Sequence, residues 1–437
     1  MKTVIMAGGR GTRISQIAPD IPKPMIEIDG MPILEREIYC LRDQGFIDII
    51  LTVGYKANVI IDYFGDGNKK SPVTGQSFGV NIEYFVEETP LGNAGALFQL
   101  DLKEDFLLLN ADVIFDIDFN RMVDFHKSHN ATVTLFTHPN LHPYDSGLII
   151  ADDNHTVISW LAKEDKRPPY YKNRVNAGLH VISPSILQNK PDIPKIDLDR
   201  QILKPLAGTG KMFCYDSPEY VKDMGTPDRY YSVIEDFKAG RVTSKNLRNK
   251  QKAVFLDRDG TINKYVGFLR DINDFELITS VANAVKKINV SGYLAIVVTN
   301  QPVIARGEVS YAELDEIHNK METLLGLEGA YLDGIYFCPH HPHSGYEGEI
   351  SELKFDCDCR KPKPGMLLKA AEDFNIDLAS SWMVGDDEND IKAGIAAGCH
   401  TALLVGEGAN SKRGCDFRQD YTYESLLEFV ENLEANG

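Results

Sequence analysis

Short apolar runs alternate with longer polar or amphipathic segments along the first half of the chain. The runs are rich in β-branched and large aliphatic residues, which favour strands; they are Thr3–Ala7, Asp48–Val53, Phe106–Asn110 and Thr132–Thr137. The segments between them are long enough for helices. This pattern predicts an α/β fold with a mostly parallel sheet covered by helices.

The same alternation restarts at Ala253. Apolar runs that each end in a polar or charged cluster follow in the order AVFLDRDG, YLAIVVTN, GIYFCPH, SWMVGD and TALLVG. They predict a second α/β domain. A short amphipathic helix is predicted to close it over Tyr423–Glu434.

The stretch GRVTSKNLRNKQK lies between the two patterns. It has five Lys or Arg residues among thirteen, no acidic residue and almost no large apolar side chain, as expected of an exposed tether. We therefore predict a domain over residues 1–244, a linker over 245–252 and a second domain over 253–437. The length of 437 residues agrees with two domains, since one domain takes about 100–200 residues.

Composition and charge narrow the classes of function. Apolar residues make up 43% and charged residues 25%, as in ordinary globular domains. The 46 Lys and Arg against 64 Asp and Glu give a net charge of −18, which disfavours binding to nucleic acid or to an anionic membrane. No apolar run approaches the ~20 residues of a spanning helix, and the opening MKTVIMAGG reaches glycine too early for a signal peptide. The expected setting is the cytoplasm, with small molecules as partners and with a homo-oligomer left open.

A glycine-rich turn, Ala7-Gly8-Gly9-Arg10-Gly11-Thr12-Arg13, follows the first predicted strand. Glycines at such a turn let backbone N–H groups face an anion, which indicates phosphate binding. The turn is neither the GxGxxG of dinucleotide-binding folds nor the GxxxxGK[ST] loop. Further segments follow in order: KPM from Lys23, LGNAGA from Leu91, LNAD ending at Asp112, NAG from Asn176 and DMGTP from Asp223.

This ordered set resembles the sugar-phosphate nucleotidylyltransferases over roughly residues 1–240. The resemblance implies a Rossmann-like nucleotidyltransferase fold in which the glycine loop and Arg13 cradle a triphosphate, Lys23 neutralises it, and Mg²⁺ binds Asp112 and Asp223. Such charge neutralisation is needed because the attacking sugar phosphate and the triphosphate repel each other. The residues so implied in nucleotide binding are Gly8, Gly9, Gly11, Thr12, Arg13, Lys23, Gly92 and Asp112, with Arg13 and Lys23 also catalytic; those implied in sugar-phosphate binding are Lys166, Asn176 and Gly178. The sequence around Lys166 departs from the family pattern, so Lys163 is an alternative to it.

Two carboxylates follow the first strand of the second domain, in Leu256-Asp257-Arg258-Asp259-Gly260-Thr261. Residues two apart in an extended chain share a face, so Asp257 and Asp259 can both point into one site. The spacing suits a nucleophile and a proton donor. Asp257 would attack phosphorus, while Asp259 would protonate the leaving alkoxide and then activate water.

The DxDGT motif resembles the haloacid dehalogenase (HAD) superfamily of phosphotransferases. Its other pieces come in the expected order as Thr299-Asn300, Arg360-Lys361-Pro362 and Gly385-Asp386-Asp387. The resemblance implies a HAD-like Rossmannoid phosphatase fold in which Thr299 and Lys361 bind the transferring phosphoryl group. It further implies that Asn300, Arg360 and Lys361 contact the sugar phosphate, that Asp257, Asp259 and Asp386 hold Mg²⁺, and that Asp390 or Asp387 assists.

Three thiols and an imidazole are offered by Cys338, His340, Cys357 and Cys359. Such a set fits a closed, tetrahedral structural Zn²⁺ site. His341 and His343 compete with His340 for the histidine position. Zinc would close the loop immediately before Arg360 and Lys361 and hold these two cations over the phosphate.

The segments DRDGTIN, CPHHP and CDCRKPKPGM together resemble a zinc-containing phosphatase subgroup over residues 253–410. That subgroup includes D,D-heptose 1,7-bisphosphate and histidinol phosphate phosphatases. Its TNQSG run is replaced here by Thr299-Asn300-Gln301-Pro302-Val303, so the substrate is less secure than the reaction.

The first half most resembles the heptose 1-phosphate guanylyltransferases, and one sugar would link the two halves. Removal of the 7-phosphate of a heptose bisphosphate leaves the heptose 1-phosphate that such a transferase needs. We therefore expect a bifunctional enzyme of GDP-D-glycero-D-manno-heptose synthesis. One alternative is another hexose 1-phosphate, such as mannose or glucose 1-phosphate, beside a histidinol-phosphate-like phosphatase. Another is that one half is a non-catalytic regulatory module, which the carboxylates kept in both halves argue against.

Overall fold

The structure, a computed structural model, describes residues 1–9, 14, 17–141, 146–409 and 418–433. The chain divides into two compact units. Unit 1 consists of Met1–His138, Gly147–Lys163 and Arg174–Asn246, and unit 2 consists of Pro139–Ser146, Glu164–Asn173 and Leu247–Gly437. Two short stretches of the first half, around Asn140 and Tyr171, are thus grouped with the second unit. None of the described helices combines the length and the apolar composition that a membrane span requires.

Unit 1 is built around a mixed sheet of nine described strands with helices against it. Its elements are β1 (Thr3–Met6), β2 (Glu27–Ile28), β3 (Met31–Pro32), α1 (Ile33–Arg42), β4 (Asp48–Val53), α2 (Ala57–Phe64), β5 (Asn81–Val86), β6 (Phe106–Asn110), β7 (Val113–Asp116), α3 (Phe119–Ser128), β8 (Val133–His138), β9 (Leu148–Ala151), β10 (Val157–Leu161), β11 (Val175–Ile182), β12 (Met212–Asp216), β13 (Tyr220–Asp223), α4 (Pro227–Lys238) and α5 (Arg241–Ser244). All four runs that the sequence predicts as strands are strands, with bounds that differ by at most one residue.

The centre of this sheet is parallel and its far side is antiparallel. Strands β6, β1, β4 and β5 run parallel in that order. Strand β11 pairs antiparallel with β6, β8 and β9, which is why the sheet is mixed rather than mostly parallel. Both faces of the sheet are buried at β1. Val4 and Ile5 are fully buried, and they pack into two different cores on opposite faces.

A small antiparallel pair, β7 with β13, carries two of the predicted site residues to one place. The register pairs Asp223 with Val113, the residue after Asp112. The Met224 N–H also donates to the Asp112 carbonyl at 3.0 Å. Two carboxylates that are more than a hundred residues apart in sequence therefore stand on neighbouring backbone positions.

Half of the predicted linker, four of its eight residues, is buried. Lys245, Asn246, Leu247 and Gln251 are each less than 7% exposed. In unit 1 the Asn246 amide donates to Asp116 at 2.6 Å, and in unit 2 the Asn375 amide donates to the Leu247 carbonyl at 2.9 Å. The basic composition therefore did not make this stretch an exposed tether, because its backbone and its few apolar or amide side chains are bound by the units on either side of it in sequence.

Unit 2 is a three-layer α/β structure. Its main elements are β14 (Lys252–Leu256), α6 (Val281–Val290), β15 (Tyr293–Asn300), α7 (Tyr311–Leu327), β16 (Gly334–Cys338), α8 (Gly365–Phe374), β17 (Trp382–Gly385), α9 (Glu388–Ala397), β18 (His400–Leu404), β19 (Tyr421–Tyr423) and α10 (Leu426–Glu431). The strands form one parallel sheet in the order β16-β15-β14-β17-β18-β19. The helix predicted over Tyr423–Glu434 begins at Leu426, because Tyr423 ends the edge strand β19.

Alternate residues of β14 enter two different cores. Val254 and Leu256 pack with residues of α6, α7 and α10 on one face. Ala253 and Phe255 pack with residues of α8 and α9 on the other. Helices thus cover both faces, as a buried parallel sheet requires, and only the strand ends remain for a binding site.

Candidate active sites

The carboxyl ends of β14, β15 and β17 meet at one cavity of unit 2. It has a volume of about 240 Å³. Every residue that the sequence assigns to the phosphatase chemistry lines it: Asp257, Asp259, Thr299, Asn300, Arg360, Lys361, Asp386, Asp387 and Asp390. The strand order predicts this meeting, because β15 and β17 flank β14 on either side.

A buried lysine neutralises part of the negative charge in this cavity. The Lys361 ammonium lies 2.6 Å from Asp257 Oδ1 and 2.7 Å from Asp390 Oδ1, and it donates to the Val298 carbonyl at 2.7 Å. Burial would lower the pKa of Lys361, but the two carboxylates raise it above its usual value. The lysine is therefore a fixed cation, suited to binding a phosphoryl oxygen.

Lys361 is itself held by the end of the neighbouring strand. The Asn300 amide donates to the Lys361 carbonyl at 2.9 Å and accepts from the Lys361 N–H at 3.0 Å. Asn300 follows Thr299 directly, so the two residues predicted to bind the phosphoryl group are joined through one side chain.

Carboxylates outnumber cations at the centre of the cavity. Ligand oxygens of Asp257, Asp386 and Asp390 lie within 4.8 Å of one another, against the single ammonium of Lys361. Burial raises the pKa of Asp257 to about 7, with Asp390 and Asp259 adding to the effect and Lys361 opposing it. A divalent cation among oxygen ligands would favour the ionised form that a nucleophile needs, so the donor set fits Mg²⁺.

The sequence predicts Asp259 as a Mg²⁺ ligand, but its side chain lies outside that trio of carboxylates, in which Asp390 stands instead. Other donors hold Asp259. Arg258 donates to both of its oxygens, at 2.9 and 2.7 Å, and Gln301 and Asn263 donate at 2.9 and 3.0 Å. Burial would raise the pKa of Asp259, but Arg258 and these hydrogen bonds hold it below its usual value. Sequence reasoning missed Arg258 and Gln301, since neither stands out from the motif by residue type.

Gly260 explains why glycine follows the two aspartates. Its φ is +91°, and a Cβ on it would lie 2.1 Å from Asp386 Oδ2 and 2.6 Å from Asp386 Cγ. Only a residue without a side chain lets the Asp386 carboxylate reach the cavity beside Asp257.

The four predicted zinc ligands come together in unit 2. The Sγ atoms of the three cysteines lie 3.2 to 3.4 Å from one another. His340 Nδ1 lies 3.3 Å from Cys359 Sγ and 3.6 Å from Cys338 Sγ. A tetrahedral Zn²⁺ with ligands at about 2.3 Å has edges of about 3.8 Å, so the group is close to the required size. His341 and His343 lie outside it; His341 Nδ1 instead faces the His343 backbone at 2.9 Å.

The group of three cysteines and His340 lies next to the two cationic residues of the cavity, Arg360 and Lys361. Cys359 directly precedes Arg360, and the Arg360 guanidinium donates to the His340 carbonyl at 3.2 Å. The loop that carries Arg360 and Lys361 is thus attached to the same four-residue group that fits the metal.

In unit 1, each predicted metal-binding carboxylate is paired with a cation. Lys23, 9% exposed, lies 2.5 Å from Asp112 Oδ2. Arg229, which the sequence did not single out, contacts both oxygens of Asp223 at 2.9 and 2.6 Å. The two aspartates are partly exposed and lie side by side, Asp112 just before β7 and Asp223 at the end of β13. This fits a Mg²⁺ ion that keeps most of its waters, and the cations beside them fit the phosphates of a nucleotide.

The remaining predicted residues of the first half are placed as follows. Gly8 and Gly9 lie just after β1, and among the described residues none comes within 4 Å of where a Cβ would stand on Gly9. Gly92 packs against the backbone of Ile196, and Asn176 and Gly178 lie near the start of β11. Gly11, Thr12 and Arg13 lie outside the described residues. Lys166 belongs to the stretch Glu164–Asn173 of unit 2 and Lys163 to unit 1, so the choice between them stays a prediction.

Comparison with known proteins assigns both halves. A family model described as nucleotidyl transferase matches residues 2–240, more than half of the chain. A model described as HAD-hydrolase-like matches residues 358–429. The chain belongs to the nucleotidyl transferase family, joined to a HAD-like hydrolase. Both the expected two-domain α/β architecture and the expected fusion are confirmed.

Individual relatives match the second half. The D-glycero-beta-D-manno-heptose-1,7-bisphosphate 7-phosphatase of Escherichia coli K12 is 40% identical over 182 residues, which are 42% of this chain and 93% of that protein. The protein of the same name from Haemophilus ducreyi is 43% identical over 181 residues, 41% of this chain and 97% of that protein. For the first half, the crystal structure of HddC from Yersinia pseudotuberculosis complexed with GMP-PN is 28% identical, with a TM-score of 0.44, and covers 54% of this chain and 99% of that one.

Proposed function

We propose that the chain carries out two consecutive steps on one sugar. Its second half would hydrolyse the 7-phosphate of D-glycero-D-manno-heptose 1,7-bisphosphate, and its first half would transfer GMP from GTP to the resulting heptose 1-phosphate. The observation that carries this proposal is the joining, in one chain, of a nucleotidyl transferase to a sequence 40% identical to heptose bisphosphate phosphatases. The product of the phosphatase is an acceptor of the kind that such a transferase uses.

In the phosphatase step, Asp257 attacks phosphorus and the bond to the sugar oxygen breaks. An aspartyl phosphate forms on Asp257, and Asp259 gives a proton to the leaving alkoxide. Asp259 then takes a proton from the water that attacks phosphorus, which releases phosphate and restores Asp257. The donors around Asp259 favour its carboxylate form, so the form required for the second proton transfer is the major one, and the protonated form required for the first is the minor one.

The cations of the cavity would bind the phosphoryl oxygens while charge builds up on them. Lys361 lies beside Asp257 and is already fixed by Asn300, so it needs little reorganisation during the reaction. Mg²⁺ held by Asp257, Asp386 and Asp390 would supply further neutralisation of charge. Zn²⁺ on Cys338, His340, Cys357 and Cys359 would have a structural role, keeping the Arg360–Lys361 loop in place.

In the transferase step, a phosphate oxygen of heptose 1-phosphate attacks the α-phosphorus of the nucleotide and pyrophosphate leaves. Lys23 and Arg13 would bind the triphosphate, and Asp112 and Asp223 would hold Mg²⁺. The choice of guanine rests on the resemblance of the first half to heptose 1-phosphate guanylyltransferases. The choice of sugar rests on the phosphatase half.

The test is to supply the purified full chain with heptose 1,7-bisphosphate and each of GTP, ATP, CTP and UTP, and to measure phosphate and pyrophosphate. We expect phosphate in every reaction and pyrophosphate only with GTP. Pyrophosphate with another nucleotide would refute the choice of base. Hydrolysis of histidinol phosphate with none of the bisphosphate would overturn the proposed sugar, and mannose 1-phosphate and glucose 1-phosphate with GTP serve as controls for the acceptor.

A further inference from the structure

Near the start of β11, the side-chain oxygen of Asn176 accepts two hydrogen bonds. The Gly178 N–H donates to Asn176 Oδ1 at 3.2 Å, and His180 Nε2 lies 3.1 Å from the same oxygen. The pairing of β11 with β8 shifts its register between Asn176 and His180, so the two residues lie on either side of an irregularity in the strand. His180 is fully buried and was not among the residues that the sequence singled out.

The hydrogen bond from Gly178 decides which atom of the amide faces the histidine. A backbone N–H can only donate, so the atom that it meets is the amide oxygen and not the nitrogen. An oxygen can only accept, so His180 must donate to it from Nε2. His180 is therefore the neutral tautomer with hydrogen on Nε2, and its Nδ1 carries none.

Burial agrees with this tautomer. It lowers the pKa of His180 to about 4, against a smaller opposing effect of the Leu108 backbone, so the ring is neutral at physiological pH. His180 Nδ1 has no hydrogen-bond partner within the part of the chain that the structure describes. An unprotonated ring nitrogen tolerates this better than an N–H would, because a buried donor without an acceptor is costly.

With the oxygen occupied, the amide NH₂ of Asn176 becomes the group that is offered outward. Asn176 is only half-buried, and among the described residues its Nδ2 has no hydrogen-bond acceptor. Gly178, with a φ of +77°, packs its backbone against the side chain of Asn110, where a Cβ would lie 2.3 Å from Asn110 Nδ2. Asn110 ends the strand that leads to Asp112, so this amide stands at the same end of the sheet as the predicted metal-binding carboxylate.

We propose that His180 is a positioning residue for the acceptor sugar: it fixes the Asn176 amide so that its NH₂ group donates to an oxygen of the sugar phosphate. The inference rests on the proposed function of the first half. The role proposed for His180 needs no contact with the substrate, because His180 acts only through the orientation of Asn176. A histidine that merely fills the core would stabilise the unit without affecting one substrate more than the other.

Kinetics separate these two roles. His180→Phe keeps a ring of similar size and removes the donor. We expect it to raise the KM for heptose 1-phosphate about tenfold, the usual weight of one hydrogen bond, and to leave the KM for GTP and phosphate release from the bisphosphate unchanged. A purely structural effect would change the GTP and sugar steps together.

A double-mutant cycle with Asn176→Ala makes the test sharper. If His180 acts through Asn176, His180→Phe has no further effect on the KM for heptose 1-phosphate once the amide is gone. If the two substitutions multiply each other's effects in full, the inference is overturned. Asn176→Ala also serves as the reference for the largest loss expected.

Nitrogen NMR of the unmodified protein, labelled with ¹⁵N-histidine, tests the tautomer without any substrate. The resonances of His180 are assigned by their loss in His180→Phe. We expect hydrogen on Nε2 and none on Nδ1 across neutral pH. Hydrogen on Nδ1, alone or with Nε2, would contradict the inference even if the enzyme proved to use a different sugar, whereas failure to turn over heptose 1-phosphate with a correct tautomer would count against the proposed function alone.

Discussion

Replacement of Gly260 by alanine tests how the phosphatase cavity is built. Two costs are expected in the variant. A φ of +91° is unfavourable for any residue with a Cβ, and that Cβ would lie 2.1 Å from Asp386 Oδ2. The added methyl group and the carboxylate cannot both keep their places.

The two costs can be estimated separately. A left-handed conformation costs a non-glycine residue about 1–2 kcal/mol, and overpacking a buried site costs about 1–3 kcal/mol. Gly292 supplies a matched control, because its φ is +82° and, apart from its chain neighbours, no atom in the described part of the chain lies within 4 Å of where its Cβ would stand. Gly292→Ala should therefore show the backbone cost alone, and Gly260→Ala should be less stable than Gly292→Ala by about 1–3 kcal/mol, unless Asp386 turns away.

Urea unfolding of the second unit measures this difference. The chain has two tryptophans, Trp160 and Trp382, and Trp382 is fully buried in the sheet of unit 2. In a Trp160→Phe background the fluorescence of Trp382 reports this unit without interference from the first, which matters because a two-domain chain need not unfold in one step. Phosphate release from heptose 1,7-bisphosphate, and pyrophosphate release from GTP with added heptose 1-phosphate, are measured on the same samples.

The Asp386 carboxylate can either keep its place beside the new methyl group or turn away, and each outcome can be measured. If the carboxylate stays, the Gly260→Ala variant loses stability; if it moves away, the variant loses phosphate release, while pyrophosphate release is kept in both cases. The reasoning is refuted if Gly260→Ala unfolds at the same urea concentration as Gly292→Ala and still releases phosphate at the unmodified rate.

Four further predictions follow from the two sites and from the buried histidine. Asp257→Asn should abolish phosphate release from the bisphosphate and leave nucleotidyl transfer to added heptose 1-phosphate intact; loss of both would show that the sites are not independent. Asp112→Ala should do the converse, and a normal rate of pyrophosphate release would remove Asp112 from the metal site. Cys357→Ser should lower the zinc content, measured by atomic absorption, and weaken phosphate release, so full zinc and full activity would contradict the structural role of the metal. Since the pKa of His180 is about 4 in the folded chain and about 6.5 when unfolded, the unfolded chain binds more protons between these values, and stability falls as the pH drops from about 6.5 to 4, by up to ~3 kcal/mol. Urea unfolding followed by Trp160 in a Trp382→Phe background should show a smaller loss over this range for His180→Phe, and an equal loss with and without that substitution would contradict the assignment.

Much of the fold could be predicted from the sequence, because each apolar strand ends at a cluster of polar or charged motif residues. Runs such as Asp48–Val53 and Tyr293–Asn300 are strands with the bounds expected, since apolar β-branched residues bounded by polar clusters leave little choice. The three thiols of the predicted zinc site were equally visible from their spacing, whereas the structure was needed to choose His340 over His341 and His343. The mixed sheet was not predicted: nothing local in β11 says that it will pair antiparallel with β6.

The residues that were missed act at long range on residues of the motifs. Arg229 pairs with Asp223, and Gln301 donates to Asp259 from another strand end. His180 supports Asn176 from within the strand. None is distinctive by type, and each acquires its role only when the chain is folded. The burial of Leu247 was hidden for the opposite reason, because the charged residues around it dominate the composition of the stretch.

The division of β14 between two cores limits how the catalytic strand can change its length. Insertion of one residue in Lys252–Leu256 would exchange the faces of the residues that follow it and turn the Asp257 carboxylate away from the cavity that it lines. Insertion of two would restore the faces but push that carboxylate about 7 Å past its lysine partner. Variation here is therefore confined to substitutions of matching volume, and libraries intended to alter substrate choice should vary loop lengths elsewhere around the cavity.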